Sequence, residues 1–150
     1  MIPEELSLEV ETRVEAPPHV VFAFFTDPER YRQWKGTGAE LDPRPGGIYR
    51  VEMGVNGWVS GEYVLVDPPH RIVFTWGWEH NPDLPPGGTQ VEVTLTADGD
   101  ATIVRLRHQG FADETAREQH EVGWRHFLSR LAVAGAGGDP GPDPVTGSAG

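Results

Sequence analysis

The sequence contains no cysteine. That excludes a disulfide framework, a thiolate metal site and a cysteine nucleophile. Serine is scarce, with Ser7, Ser60, Ser129 and Ser148 the whole supply. No Gly-x-Ser-x-Gly elbow occurs, so a serine hydrolase has little to be built from. Basic residues are few. Twelve Lys and Arg face 23 Asp and Glu, for a formal net charge of −11. No basic stripe offsets this balance, which repels phosphate backbones and excludes nucleic-acid binding. Long apolar runs are missing, and no stretch approaches the roughly 18–20 residues of a membrane span. The start, Met1-Ile-Pro-Glu-Glu, lacks the basic residues of a signal peptide. The cytoplasm is the expected location. The pairs Gly46-Gly47 and Gly87-Gly88 are not phosphate loops, because no Lys-Ser/Thr follows and no helix begins there. Convergent metal-ligand spacing is also missing. Glu79 and His80 sit at a strand end, and Glu118, His120 and Glu121 do not all point one way on a helix. No metal and no cofactor are expected, and there is no internal repeat.

What the chain does have is one domain's worth of alternating strands and one strong terminal helix. Its 150 residues suit a single domain. We place it at residues 1–134, with 135–150 as a disordered tail rich in Gly and Pro and with almost nothing to bury. The organising stretch runs from Leu106 to Ala132. Within it His120, Trp124, Phe127, Leu128 and Leu131 fall on one face at a period of 3.6. Asp113 can cap this helix, Thr115-x-x-Glu118 offers a second start, and Gly135 onward stops it. Acidic residues come early and Arg125 and Arg130 late, as the helix dipole favours. Gly123 removes a side chain from the helix interior, which predicts a close approach to a strand.

Before this helix the pattern is mostly strand. Leu6, Leu8, Val10, Thr12, Val14 and Ala16 share a face, with Glu9, Glu11, Arg13 and Glu15 opposite, as in a half-buried edge strand. Pro17-Pro18 ends it. Val20, Val21, Phe24 and Phe25 mark a short helix, and Asp27-Pro28 starts a second that ends near Trp34. Residues 42–47 form a turn. Strands follow at Ile48–Met53, Trp58–Val66 and Arg71–Glu79, the first two joined by Val55-Asn56-Gly57, which suits a type I′ hairpin. Residues 80–88 form a Pro-rich loop bordering a pocket mouth. Two more strands carry Val91, Val93, Leu95 and Ala97, then Thr102, Val104, Leu106 and His108. The predicted class is α+β: a six-stranded antiparallel sheet wrapped around a long C-terminal helix, with two short helices after strand one. Aromatics at positions 24, 25, 49, 63, 74, 76, 78, 124 and 127 fill the interior or line a pocket between sheet and helix.

An ordered set of motifs then gives a resemblance. They are Ala16-Pro17 with Val20-Val21-Phe22; Thr26-Asp27-Pro28-Glu29 leading to Trp34; and Asp42-Pro43-Arg44-Pro45-Gly46-Gly47-x-Tyr49. Then come Gly61; Val66-Asp67-Pro68-Pro69-x-Arg71-Ile72-Val73-Phe74-Thr75-Trp76; Thr102-x-Val104-x-Leu106-x-His108-x-Gly110-Phe111; and Gly123-Trp124 with Leu131. Together they resemble the activator of heat shock protein 90 ATPase homologue-like family of the START-related, birch-pollen-allergen-like superfamily. The resemblance implies a helix-grip fold with a cavity between sheet and helix. The family often has a second tryptophan after the one matching Trp34, and here that position is Lys35. The family's namesake stimulates a chaperone ATPase, and the domain is only part of that protein. Wider relatives bind lipids, hormones or polyketides, and some are cyclases. The site must decide among these.

The expected ligand-binding residues are Trp34, Tyr49, Val51, Phe74, Trp76, Trp78, His108, His120 and Trp124. Trp34 and Tyr49 offer a ring and a polar handle together. By strand parity His108 points inward, where it either acts as a general base or closes the cavity end through a backbone bond. The leading reading is a cofactor-free protein that binds a small hydrophobic or aromatic molecule. An alternative is a cyclase or hydratase using His108 with Tyr49, Glu62 or His120. A third is a chaperone-interacting domain, for which the outward face of strand one, with Glu9, Glu11 and Glu15, offers a surface to a basic partner, although a solvated face is the simpler account of those charges.

Overall fold

A computed structural model describes residues 6–35 and 38–141. The N-terminal pentapeptide and residues 142–150 of the expected tail lie outside the described residues. The first strand, β1 (Ser7–Val14), has the predicted alternation, with Leu8, Val10 and Val14 buried. Two short helices follow, α1 (Pro18–Thr26) and α2 (Pro28–Tyr31). Proline occupies the first turn of each, where no intrahelical N–H is required. Asp27 caps α2 by accepting from the Glu29 N–H at 2.9 Å.

The sheet then runs as a meander: β2 (Gly38–Leu41), β3 (Ile48–Glu52), β4 (Trp58–Asp67), β5 (Arg71–Trp78), β6 (Thr89–Asp98) and β7 (Ala101–Gln109). It closes with β1 against β7, giving seven strands in the order β1-β7-β6-β5-β4-β3-β2, all pairs antiparallel. The expected count of six omitted β2. That strand is a four-residue edge piece, held by pairing with β3, where Leu41 sits opposite Tyr49. Its sequence, Gly-Ala-Glu-Leu, has too few alternations to register as a strand.

The β3–β4 connection also differs from expectation. Gly54–Asn56 forms a 3-10 turn, not a two-residue type I′ turn. Gly54 and Gly57 both take positive φ, at 61° and 91°. The loop therefore closes between the Met53 N–H and the Gly57 carbonyl at 2.8 Å.

The long helix α3 (Glu114–Gly135) shares one hydrophobic core with the inward side chains of the sheet. Asp113 caps it, accepting from the Ala116 N–H at 2.8 Å. Its C-terminal half packs into the core through Leu128, Leu131 and Ala134. At Gly135 a side chain would meet Val14 Cγ1 at 2.5 Å. Beyond it, within the segment expected as a tail, the Arg130 guanidinium donates to the carbonyls of Pro140 and Gly141 at 3.3 and 2.9 Å. Among the described residues no helix is long and apolar enough to cross a membrane.

The Pro-rich loop after β5 folds back onto that strand. Trp78 N–H donates to the Leu84 carbonyl at 2.8 Å. Gly77 makes this possible, because a Cβ there would lie 1.8 Å from the Pro85 carbonyl oxygen. Leu84, the one large apolar side chain of the loop, is 6% exposed. The loop is thereby pinned at one end of the space between sheet and helix.

Candidate functional site

A cleft of about 610 Å³ opens at that end, well within the size of small-molecule sites. One wall is β5, through Trp76 and Trp78. A second is α3, through Ala116, His120, Gly123 and Trp124 in its first half and Phe127 just beyond. The β3–β4 loop adds Met53 and Asn56. The 80–84 loop adds His80, Asn81, Asp83 and Leu84, and Lys35 enters from the segment after α2. The loop after β5 thus borders the mouth as expected.

Four of the nine residues read from the sequence meet at this wall: Trp76, Trp78, His120 and Trp124. Their rings pack against one another, with Trp76 at 5.2 Å from Trp124 and 6.1 Å from Trp78, centroid to centroid. The other five lie behind it in the core. Val51 and Phe74 are buried there, Phe74 stacked on Tyr49 at 4.1 Å. Trp34 is fully buried, its Nε1–H donating to the Phe24 carbonyl at 2.9 Å. The Tyr49 hydroxyl is hydrogen-bonded to that of Tyr31. The polar handles of Trp34 and Tyr49 are thus committed inside the protein. Burial also drives both phenol pKa values up, so these rings stay neutral.

His108 is fully buried behind Trp76 and Trp124. Trp124 Nε1–H donates to its Nδ1 at 3.0 Å, which places the ring proton on Nε2. Nε2–H then donates to Thr89 Oγ1 at 2.8 Å, and that hydroxyl donates to the Trp76 carbonyl at 2.7 Å. Both nitrogens are used, in a chain joining helix, β7, β6 and β5. His120 is similarly engaged. Its Nδ1–H donates to the Ala116 carbonyl at 2.7 Å, and its Nε2 accepts from Trp78 Nε1–H at 3.1 Å. Glu62, considered as a polar partner for His108, is on the exposed face of β4. Glu79 is tied to Arg50, which donates to it through two nitrogens at 2.7 and 3.1 Å.

Burial holds the pKa of His108 well below its ordinary value, with His120 and the Lys35 charge pushing the same way. His120 is also lowered, first by burial, although its bond to Ala116 opposes this. Both imidazoles are therefore neutral in the folded protein and protonate more readily when it unfolds. Their contribution to stability is fully present above the unfolded value near 6.5 and drains as pH falls toward the folded values. Urea unfolding between pH 7 and 5.5 should show stability falling by up to about 1.4 kcal/mol per pH unit for each histidine. A flat profile across that window would contradict the assignment.

Lys35, Met53 and Leu84 are wall residues that the sequence reading did not select. Lys35 is 1% exposed. Its Nζ stands 4.3 Å from the Trp76 ring centroid, 5.0 Å from Trp124 and 5.2 Å from Phe127, and reaches Met53 Sδ at 3.3 Å. The signal for it was present, since Lys35 is where the chain departs from the tryptophan pair. Leu84 was also findable, as the single large apolar residue among the prolines of its loop. Gly123 departs from expectation. A side chain there would meet nothing within 4 Å, so the glycine opens onto the cleft and does not admit a strand. Among the described residues, the buried donor Trp76 Nε1 has no hydrogen-bond partner.

Comparison with known proteins agrees with this architecture. The family model for activator of Hsp90 ATPase homolog 1-like protein matches residues 15–135. An AHSA1-like protein of Rhizobium etli has a solution structure with a TM-score of 0.72 and 40% identity, covering 92% of this chain and 86% of that one. DynU16, a protein from the dynemicin biosynthetic locus, gives a TM-score of 0.77 at 27% identity over 89% of this chain and 49% of its own. A Schizosaccharomyces pombe protein is 30% identical over 96 residues, 62% of this chain. The chain spans about half of DynU16 and 26% of the fission-yeast protein.

Proposed function

Because the chain belongs to the activator of Hsp90 ATPase homolog 1-like family, we propose that it is a helix-grip protein that binds a small hydrophobic or aromatic molecule in the cleft between β5 and α3. The observation that carries this reading is the wall itself. Three indoles and a phenyl ring, from Trp76, Trp78, Trp124 and Phe127, border one cleft of about 610 Å³. Flat apolar surfaces of this kind bind by stacking and area burial, with a few polar groups setting orientation. The place of DynU16 in the dynemicin biosynthetic locus supports the same direction. Binding without turnover is favoured over the cyclase alternative, since both nitrogens of His108 and both of His120 are held by protein groups.

Three of the chain's five tryptophans line the cleft, so occupancy should be readable in intrinsic fluorescence. Titration with the neutral probe N-phenyl-1-naphthylamine should give saturable 1:1 uptake, with loss of tryptophan emission and gain of probe emission. Absence of saturable uptake would overturn the proposal and turn attention to a protein partner of the kind the family name describes.

A further inference from the structure

Resting on that reading, we infer that the cleft takes its ligand in one orientation and that the ligand is a phenol, with its aromatic body against the indoles and a neutral hydroxyl at the rim. The polarity of the lining carries this. The inner wall is apolar, with Trp76, Trp124, Phe127, Met53 and Leu84 all buried. Apart from Ala112, every exposed lining residue is polar. These residues stand on the loop after β5, at the start of α3 and on the β3–β4 turn. Part of this rim is already committed. Asn81 Oδ1 accepts from the Asp83 N–H at 2.9 Å, and Asp113 Oδ1 accepts from the Ala116 N–H at 2.8 Å. Asn56 is engaged as well. Four side chains remain: His80, Asp83, Thr115 and Gln119. None of them is hydrogen-bonded to the protein among the described residues. His80 differs in this from His108 and His120, whose ring nitrogens all have protein partners.

The ligand class follows from what these groups can do. Asp83 accepts, Thr115 and Gln119 donate and accept, and the His80 imidazole can do either. A hydroxyl is donor and acceptor at once, so it meets such a mixed rim whichever way it turns. A carboxylate only accepts, and it would face the Asp83 and Asp113 charges on a chain of net charge −11. The orientation follows from the inner wall. The polar side chains there, Lys35 and His120, are engaged by protein groups. A hydroxyl carried inward would give up its water for ring faces.

Displacement of bound N-phenyl-1-naphthylamine by naphthalene, 2-naphthol and 2-naphthoate tests this. The three share one ring system and differ at one position. Wild type should bind 2-naphthol about three- to tenfold more tightly than naphthalene, the net gain of one hydrogen bond. It should bind 2-naphthoate no more tightly than naphthalene. His80→Phe and Gln119→Leu each replace a polar group by an apolar one at an exposed position of the rim. The quantity read in each variant is the ratio of its 2-naphthol and naphthalene affinities, so a change in the wall common to both ligands cancels. That ratio should fall by about twofold or more in each variant and reach about one in the double variant. A wild-type ratio of about one or below would overturn the phenol assignment while leaving cleft binding intact, and so would tightest binding of 2-naphthoate. An undiminished ratio in the double variant would place the hydroxyl away from this rim and overturn the orientation. Failure of wild type to take up N-phenyl-1-naphthylamine would overturn the proposed function itself.

Discussion

Gly123→Leu should close the cleft without harming the fold. Position 123 lies mid-helix, and a Cβ there meets no atom within 4 Å. The added side chain would enter the cleft beside Trp124, with no strand to strike. Glycine in a helix interior is about 1 kcal/mol less favourable than alanine, and leucine is close to alanine. The variant should therefore melt at the wild-type temperature or a few degrees above it. Uptake of N-phenyl-1-naphthylamine should fall by at least about 30-fold, because four side-chain carbons occupy volume the probe needs. Gly123→Ala separates the two effects. It should recover the helix gain and lose little binding. A Gly123→Leu protein that melts well below wild type would instead mean that the helix and sheet touch at this point. One that binds the probe normally would remove the cleft as the binding site.

The contrast between Gly123 and Gly77 shows where the sequence was readable. A glycine inside a helical pattern announces that something is unusual, but not whether a neighbour or a void is the cause. Both answers occur in this chain. Gly77 and Gly135 admit close neighbours, and Gly123 admits empty space. Periodicity settled what depends on one element at a time. The faces of β1, β5 and β7 and the Asp113 cap follow from spacing of two or from local hydrogen-bond chemistry. The short edge strand β2 does not, because it exists only by pairing with β3. The inward direction of Trp34, Tyr49, Phe74 and His108 was likewise legible. Which of the inward side chains touch the cleft and which sit a layer deeper depends on how α3 crosses the sheet, and no single-strand pattern encodes that. Phe127 and Leu128 show the division on the helix itself. They are neighbours in sequence and both buried, yet only Phe127 reaches the cleft.

Lys35 carried a different kind of signal. Its departure from the family's tryptophan pair was visible at once, and the meaning came only with its surroundings. A lysine following a short helix is ordinarily solvated. Here the chain turns it under Trp76 and Trp124, and an exposed-looking residue becomes part of an aromatic wall.

His108→Phe should separate structure from chemistry at the residue most easily mistaken for a catalytic base. The imidazole is fully buried, and each nitrogen already has a protein partner. Phenylalanine restores most of the ring volume but leaves the Trp124 Nε1–H without an acceptor. A buried donor stranded in this way costs roughly 1–3 kcal/mol. Thr89 loses a donor but keeps its own bond to the Trp76 carbonyl, so its share is smaller. The single variant should lose about 2–4 kcal/mol by urea denaturation. Trp124→Phe should lose a comparable amount, since it strands the His108 Nδ1 acceptor and thins the core. Removing both partners at once is cheaper than the sum, because no orphaned group remains. The double variant should therefore show a coupling of about 1–2 kcal/mol in its favour. Binding of the neutral probe by His108→Phe should stay near wild type under conditions where the variant is folded, since the residue lies behind the wall. If the single variant kept full stability but lost probe binding, His108 would belong to the ligand site, and the hydrogen-bonded chain from Trp124 to Trp76 would have to be open to the ligand.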